Sequence, residues 1–291
     1  MSDANLTLRP VKPDAAEPRI RQIYEETRRT LHLPWVGALF QGYAMYPGYL
    51  EMAWRTLRPS LETAQFEADA RAVGNAADEA VARFYTPSYD YRTVAAMNVD
   101  IEALRETVNA FHIGNPRLLL VATALRRAFK EGTVGGGTPV ILGRARESTE
   151  EIRAERTTVE MIDPEQASPR VQQIFDDIKT TLSLPLVNSD YQAMALWPDY
   201  LALAWNDAKG VVRTPEYAAA VRRLGGLASD AVERFAAPVT ATREAAMQAG
   251  VSTDQLDNLA AILRLFAGLL PGLILNVAMF YRAVDTSPRF A

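Results

Sequence analysis

The chain contains no cysteine and only two histidines, His32 and His112. The first absence excludes disulfides, thiolate nucleophiles and cysteine-ligated zinc together, and it suits a cytoplasmic protein. Two histidines without cysteine make a poor ligand set, so no metal is expected. Neither histidine stands near a serine motif, which disfavours histidine-based acid–base chemistry and throws the burden onto carboxylates. Gly-x-Ser-x-Gly, His-Glu-x-x-His and phosphate-binding glycine loops are missing. Gly135-Gly136-Gly137 has no strand before it and no lysine after it, and reads as linker. Basic charge is not in excess: the formal charge is −4, which offers nucleic acid no stripe to bind. The long apolar run 263–280 is broken by Arg264, Pro271 and Asn276, so it reads as a buried helix and no membrane partner is expected. Met1–Pro10 lack a signal pattern and read as a loose polar arm.

What is present is ordinary globular material, 48% hydrophobic and 23% charged over 291 residues. Within it the chain resembles itself. Pro34, Val36, Gln41, Ala44, Pro47, Tyr49, Leu50, Ala53 and Trp54 recur 151 residues later as Pro185, Val187, Gln192, Ala195, Pro198, Tyr200, Leu201, Ala204 and Trp205. The same spacing carries Arg71, Gly74 and Phe84 onto Arg222, Gly225 and Phe235; later, Phe111, Pro116 and Leu118 return 155 residues on as Phe266, Pro271 and Leu273. Ile20, Ile23, Tyr24, Thr27 and Leu31 fall at helical spacing, as do Val171, Ile174, Phe175, Ile178 and Leu182. Pro47 and Pro198 should each open a helix, because proline suits a first turn but not an interior. The expected architecture is all-α: two helical repeats, residues 1–131 and 161–291, related by a pseudo-twofold axis with the site between them. Residues 132–160 read as a charged linker crossing the surface, with a weak strand-like run at Thr138–Leu142.

The duplication supplies a filter. A residue shared by both halves is packing; a polar residue facing an apolar partner is a candidate for chemistry. Gln41 and Gln192, and Trp54 and Trp205, read as structural. Gly37-Ala38-Leu39 becomes Asn188-Ser189-Asp190, so Asp190 faces Leu39. Asn115 faces Leu270, and Glu67 faces Ala218, while the threonine a turn earlier is shared as Thr63 and Thr214. Each has a plainer reading. Asn188–Asp190 could simply cap a helix, Asn115 before proline could form a turn, and Glu67 could lie on a solvated face. Trp35, opposite the polar triplet, suits a pocket wall. No arginine passes the filter cleanly, which leaves free N–H groups near Asn188–Asp190 to hold an anionic substrate.

At these residues the sequence resembles the group I 2-haloacid dehalogenases, which act on both D- and L-2-haloacids. The resemblance is carried by Leu33-Pro34-Trp35-Val36, Tyr46-Pro47-Gly48-Tyr49-Leu50, Gly114-Asn115-Pro116 with Leu118-Leu119-Leu120, Val134-Gly135-Gly136, and Ser189-Asp190 with Trp197-Pro198, and it runs nearly the whole chain in order. It implies an all-helical fold of two pseudo-repeats, a homodimer, no cofactor, Asp190 as catalytic aspartate and Asn115 as its partner. It also implies a Thr-x-x-x-Glu pair at Thr63 and Glu67, and pocket residues at Trp35 and Ser189, beside which Asn188 stands as a substrate-binding candidate from the duplication. Where some members carry a bulky phenylalanine this chain has Ala38, which leaves more room.

The implied reaction replaces the halide beside a carboxylate with hydroxide. Water is a poor nucleophile at saturated carbon; it needs a base, and it must be held in line behind the carbon–halogen bond. Asp190 would be the base and Asn115 would hold the water, with inversion. Attack by Asp190 itself, followed by ester hydrolysis, stays open. N–H groups near Asp190 would lower its pKa and burial among Leu184, Leu186 and Trp35 would raise it, with no winner legible. Two other functions compete: a hydrolase of this fold acting on a non-halogenated small acid, and a helical binding protein without chemistry.

Overall fold

The computed structural model describes residues 6–97, 99–137 and 149–284. Among them the regular structure is helical: α1 (Pro18–Thr30), α2 (Ala38–Tyr43), α3 (Pro47–Leu61), α4 (Ala64–Phe84), α5 (Tyr91–Ala95), α6 (Ile101–Glu131), α7 (Thr149–Arg156), α8 (Pro169–Leu182), α9 (Ser189–Met194), α10 (Pro198–Lys209), α11 (Pro215–Glu233), α12 (Arg243–Gln248) and α13 (Leu256–Val284). One isolated antiparallel bridge joins Val134 to Val239. The run Thr138–Leu142 lies outside the described residues.

The starts of α1 to α4 recur 151 residues later as the starts of α8 to α11. So do their bonds. The Trp54 indole donates to Glu26 and the Trp205 indole to Asp177, at 2.8 and 2.7 Å. The Gln41 amide donates to the Val36 carbonyl and Gln192 to that of Val187. Thr63 and Thr214 each cap a helix by accepting from the N–H three residues on. Pro47 and Pro198 stand at first-turn positions, where a missing N–H is no loss.

The two longest helices, α6 and α13, lie against each other at the centre, with α4 and α11 packed on them and on one another. Alanine, leucine and valine dominate the buried length of α6 from Leu118 to Leu125, as they do α13 from Leu273 to Ala278. Among the described residues α13 is the one helix long and apolar enough to cross a membrane, but 67% of its most apolar stretch is buried in the fold. Its hydrophobicity is that of a core helix enclosed by neighbours.

Two expectations fail. The N-terminal segment is not a loose arm where described: Thr7 exchanges two hydrogen bonds with Asn258, and the Val11 N–H donates to the Gln41 carbonyl. Nor do residues 132–160 only cross the surface. Residues 149–156 form α7, which packs on α6 and buries Ala154 and Glu151. The charge of Glu151 reads as solvated along the chain; in space it meets two arginines.

Candidate active site

One small cavity gathers most of the polar positions singled out along the chain. Its walls are Trp35, Ala38, Leu39, Phe111, Asn115 and Leu118 from the first half, and Asn188, Ser189, Asp190, Phe266, Leu269, Leu270 and Leu273 from the second. Corresponding positions therefore line it together: Leu39 with Asp190, Asn115 with Leu270, Phe111 with Phe266, Leu118 with Leu273. The cavity measures about 30 Å³, enough to hold a water.

Asp190 sits in the first turn of α9, 2% exposed. Its Oδ1 accepts the N–H of Tyr191 at 2.9 Å, and its Oδ2 is buried without a partner. Burial drives the carboxyl up to about 7, against the pull of the Tyr191 N–H and its own. Desolvation wins because the walls are leucine and aromatic, and among the lining residues Asp190 is the only one that carries charge. Leu184 and Leu186 are not among those walls. A carboxyl poised near neutrality can both take and release a proton under ordinary conditions.

Asn115 lies inside α6, not in a turn. Pro116 is accommodated within the helix, and Asn115 is 4% exposed with its Nδ2 buried and unpartnered. Asn188 is the N-cap residue of α9, yet its side chain makes no cap bond, and its Oδ1 is also buried and unpartnered. Three uncompensated polar atoms, one donor among them, thus belong to the lining of one cavity. Orphaned polar groups are costly in a core, and they gather where a ligand will satisfy them. Simple capping accounts for neither Asn188 nor Asp190. Ser189 and Ala38 complete the polar corner and the open wall opposite it. Trp35 packs against Phe111 with ring centroids 4.2 Å apart and planes tilted by 40°. It reaches that place because residue 114 is glycine; a Cβ there would stand 2.6 Å from the indole.

Thr63 and Glu67 do not reach this cavity. The Thr63 hydroxyl donates to Ser60 O and caps α4. Glu67 is buried, not on a solvated face, and accepts from the Arg117 Nε and Nη2 at 3.1 and 2.7 Å. Arg117 also reaches Glu151 of α7, which Arg71 holds in a two-pronged bond. Thr63 and Glu67 instead line a separate polar cleft with His32 and Glu155. Arg117, opposite Gly272 in the duplication, does pass the filter, so the reading that no arginine passes is corrected. It is bound by its acids and absent from the cavity lining, so the backbone remains the nearest source of donors for an anion. The two histidines stand elsewhere, His32 on Glu155 and His112 on Asp78.

Comparison with known proteins places the chain among haloacid-processing relatives. Residues 34–191 match the family described as halocarboxylic acid dehydrogenase DehI. An (R)-2-haloacid dehalogenase of Pseudomonas putida is 32% identical over 94% of this chain and 91% of its own. A configuration-inverting 2-haloacid dehalogenase of Pseudomonas sp. (strain 113) is 26% identical over 76% of this chain and 73% of its own. A solved D-2-haloacid dehalogenase in complex with L-LA superposes with a TM-score of 0.88 at 30% identity, covering 97% of both chains.

Proposed function

Because the chain belongs to the halocarboxylic acid dehydrogenase DehI family, we propose that it is a 2-haloacid dehalogenase, converting short 2-haloalkanoic acids to 2-hydroxy acids with inversion. The family's descriptor names a dehydrogenase, but the relatives are dehalogenases, and the cavity suits their reaction. The single observation that carries the reading is the buried Asp190 Oδ2, unpartnered in the same small cavity as the unpartnered Asn115 Nδ2.

In the proposed reaction Asn115 and Asp190 hold a water behind the carbon that bears the halogen. As the water oxygen bonds to that carbon, Asp190 Oδ2 takes its proton, and the carbon–halogen electron pair leaves with the halide. The proton then passes from Asp190 to solvent. Apolar walls keep the water and the carboxylate poorly solvated, which strengthens their interaction. The Ser189 N–H, the one first-turn N–H of α9 not already bonded to the Asp190 carboxylate or to Asn188 O, and the Ser189 hydroxyl supply donors for the substrate carboxylate. Pairs of equivalent positions around the cavity support a reading of two helical halves, 1–131 and 161–291, related by a pseudo-twofold axis through it.

On stereochemistry, the first reading is an (R)-preference, supported by the (R)-2-haloacid dehalogenase of P. putida and the solved D-2-haloacid dehalogenase. Use of both enantiomers is the second reading, favoured by the open wall at Ala38. Chloride release from each enantiomer of 2-chloropropionate, with chiral analysis of the lactate, decides between them. The proposal holds if (R)-substrate gives (S)-product; absence of chloride release from either enantiomer overturns it and returns the non-halogenated acid or binding readings. The resemblance also implies a homodimer, and the lack of cysteine suits the cytoplasm; sedimentation and fractionation would check each.

A further inference from the structure

Behind Asp190 lies a second polar layer that nothing above has used. Tyr191, whose N–H bonds to the Asp190 carboxylate, is fully buried. Its hydroxyl accepts from Asn276 Nδ2 on α13 at 2.8 Å. Asn276 Oδ1 in turn faces the Tyr217 hydroxyl of α11 at 2.9 Å, and that hydroxyl also reaches the Gly272 carbonyl at 3.0 Å. Asn276 is 1% exposed, so both ends of its amide are spoken for inside the core. Three helices, α9, α11 and α13, are thereby tied at one point.

The duplication shows that folding does not demand this chain of bonds. In the other half the three positions are Phe40, Phe66 and Val121, all apolar and all buried. The aromatic packing is otherwise alike: Phe40 meets Trp54 edge-on at 6.2 Å, as Tyr191 meets Trp205 at 6.2 Å. The contrast is the one that separates Asp190 from Leu39. Polar groups occupy the half that carries the carboxylate, and hydrocarbon occupies the half that does not.

We propose that Asn276 and Tyr217 are positioning residues for the dehalogenation, clamping Tyr191 so that its N–H holds the Asp190 carboxylate toward the cavity. The inference rests on Asp190 being the base. A carboxylate held only by the N–H of Tyr191 and its own, with an unpartnered second oxygen, has little else to fix its rotamer, and a small misplacement of a reacting group is expensive in rate. Burying three polar groups is tolerable only because they satisfy one another.

The other half supplies the test. The triple variant Tyr191→Phe, Asn276→Val, Tyr217→Phe copies a packing that this fold already contains, and it leaves no orphaned partner. Its kcat for chloride release should fall about tenfold to a hundredfold, with KM changed less than about threefold. The acid limb should move upward by about half a unit or more, because a slackened Tyr191 N–H lowers the carboxyl pKa less. Tyr191 and Tyr217 are the other titratable groups beside Asp190, both held far above the usual phenol range by burial, so neither titrates in that window. The carboxyl carbon resonance of Asp190, followed against pH in the unmodified and triple-variant proteins, reads the same displacement without activity. A triple variant with altered stability but unchanged kcat and unchanged Asp190 titration overturns the inference. Should the triple variant not fold, Tyr217→Phe alone, which strips one hydroxyl from the chain of bonds, must show the same kcat loss in smaller measure, and no loss overturns it. If the unmodified protein releases no halide, it is the dehalogenase reading that fails, and if Asp190→Asn keeps its activity, it is the role of Asp190 as base; in both cases the titration still reports on the clamp.

Discussion

Asn115 on α6 and Asp190 on α9 line the same cavity although 75 positions separate them in the chain, and each leaves a buried polar atom, Nδ2 and Oδ2, without a partner. Their counterparts, Leu270 and Leu39, stand in the same walls. One cavity thus holds both polar groups together with their leucine counterparts from the opposite halves, so a water there meets polar contacts amid hydrocarbon.

Asp190→Asn should reduce kcat for chloride release by about a hundredfold to ten-thousandfold, the usual share of a positioned base. The substitution keeps the size and the N–H contact but cannot accept the proton. Activity within tenfold of the unmodified protein would remove Asp190 from that role.

Activity should decline as pH falls below about 7, because only the ionised Asp190 accepts a proton. Stability moves oppositely. The folded carboxyl titrates above its unfolded value of 3.8, so the folded state holds the extra proton between those pH values, and stability is lost as pH rises through about 7. Asp190→Asn should therefore raise the melting temperature at pH 8 more than at pH 5. The gain is on the order of a few kcal/mol at most, and an equal shift at both pH values would count against the raised carboxyl.

A single turnover in heavy-oxygen water should place the label in the hydroxy acid and none in the protein. Label on Asp190 would show that the carboxylate attacks the carbon itself and that water then opens the ester.

Arg117→Met should cost about 3–5 kcal/mol in urea unfolding, since it strands Glu67 as a buried acid without its cation and leaves Glu151 to Arg71. The same change should leave the acid limb of kcat near its place, because Arg117 does not line the cavity. Glu67→Gln should likewise act on stability before KM. A rise in KM at full stability would restore Glu67 to substrate binding.

Helix type and helix starts were readable from local rules. Proline at first-turn positions and apolar residues at helical spacing announce α1, α3, α8 and α10 without reference to the rest of the molecule. The polar substitutions at 115, 188 and 190 were readable as well, because a duplicated chain carries its own apolar control. The same comparison could have found Tyr191, Tyr217 and Asn276, but tyrosine opposite phenylalanine looks like mere packing until the hydroxyl's partner is seen.

By itself, then, the sequence determined the all-helical class and the paired helices of the repeat, the candidates Asp190 and Asn115, and the absence of any thiol chemistry, but not α7, which read as linker. Tertiary structure alone decided that Asn115, Asn188 and Asp190 share one cavity, that Glu67 turns away to Arg117, and that α7 carries Glu151 into the same ion cluster. It also decided the state of Asp190. The N–H donors that lower its pKa are local to α9, but the walls that raise it come from α2, α6 and α13, and desolvation is a property of whatever distant residues the fold brings near.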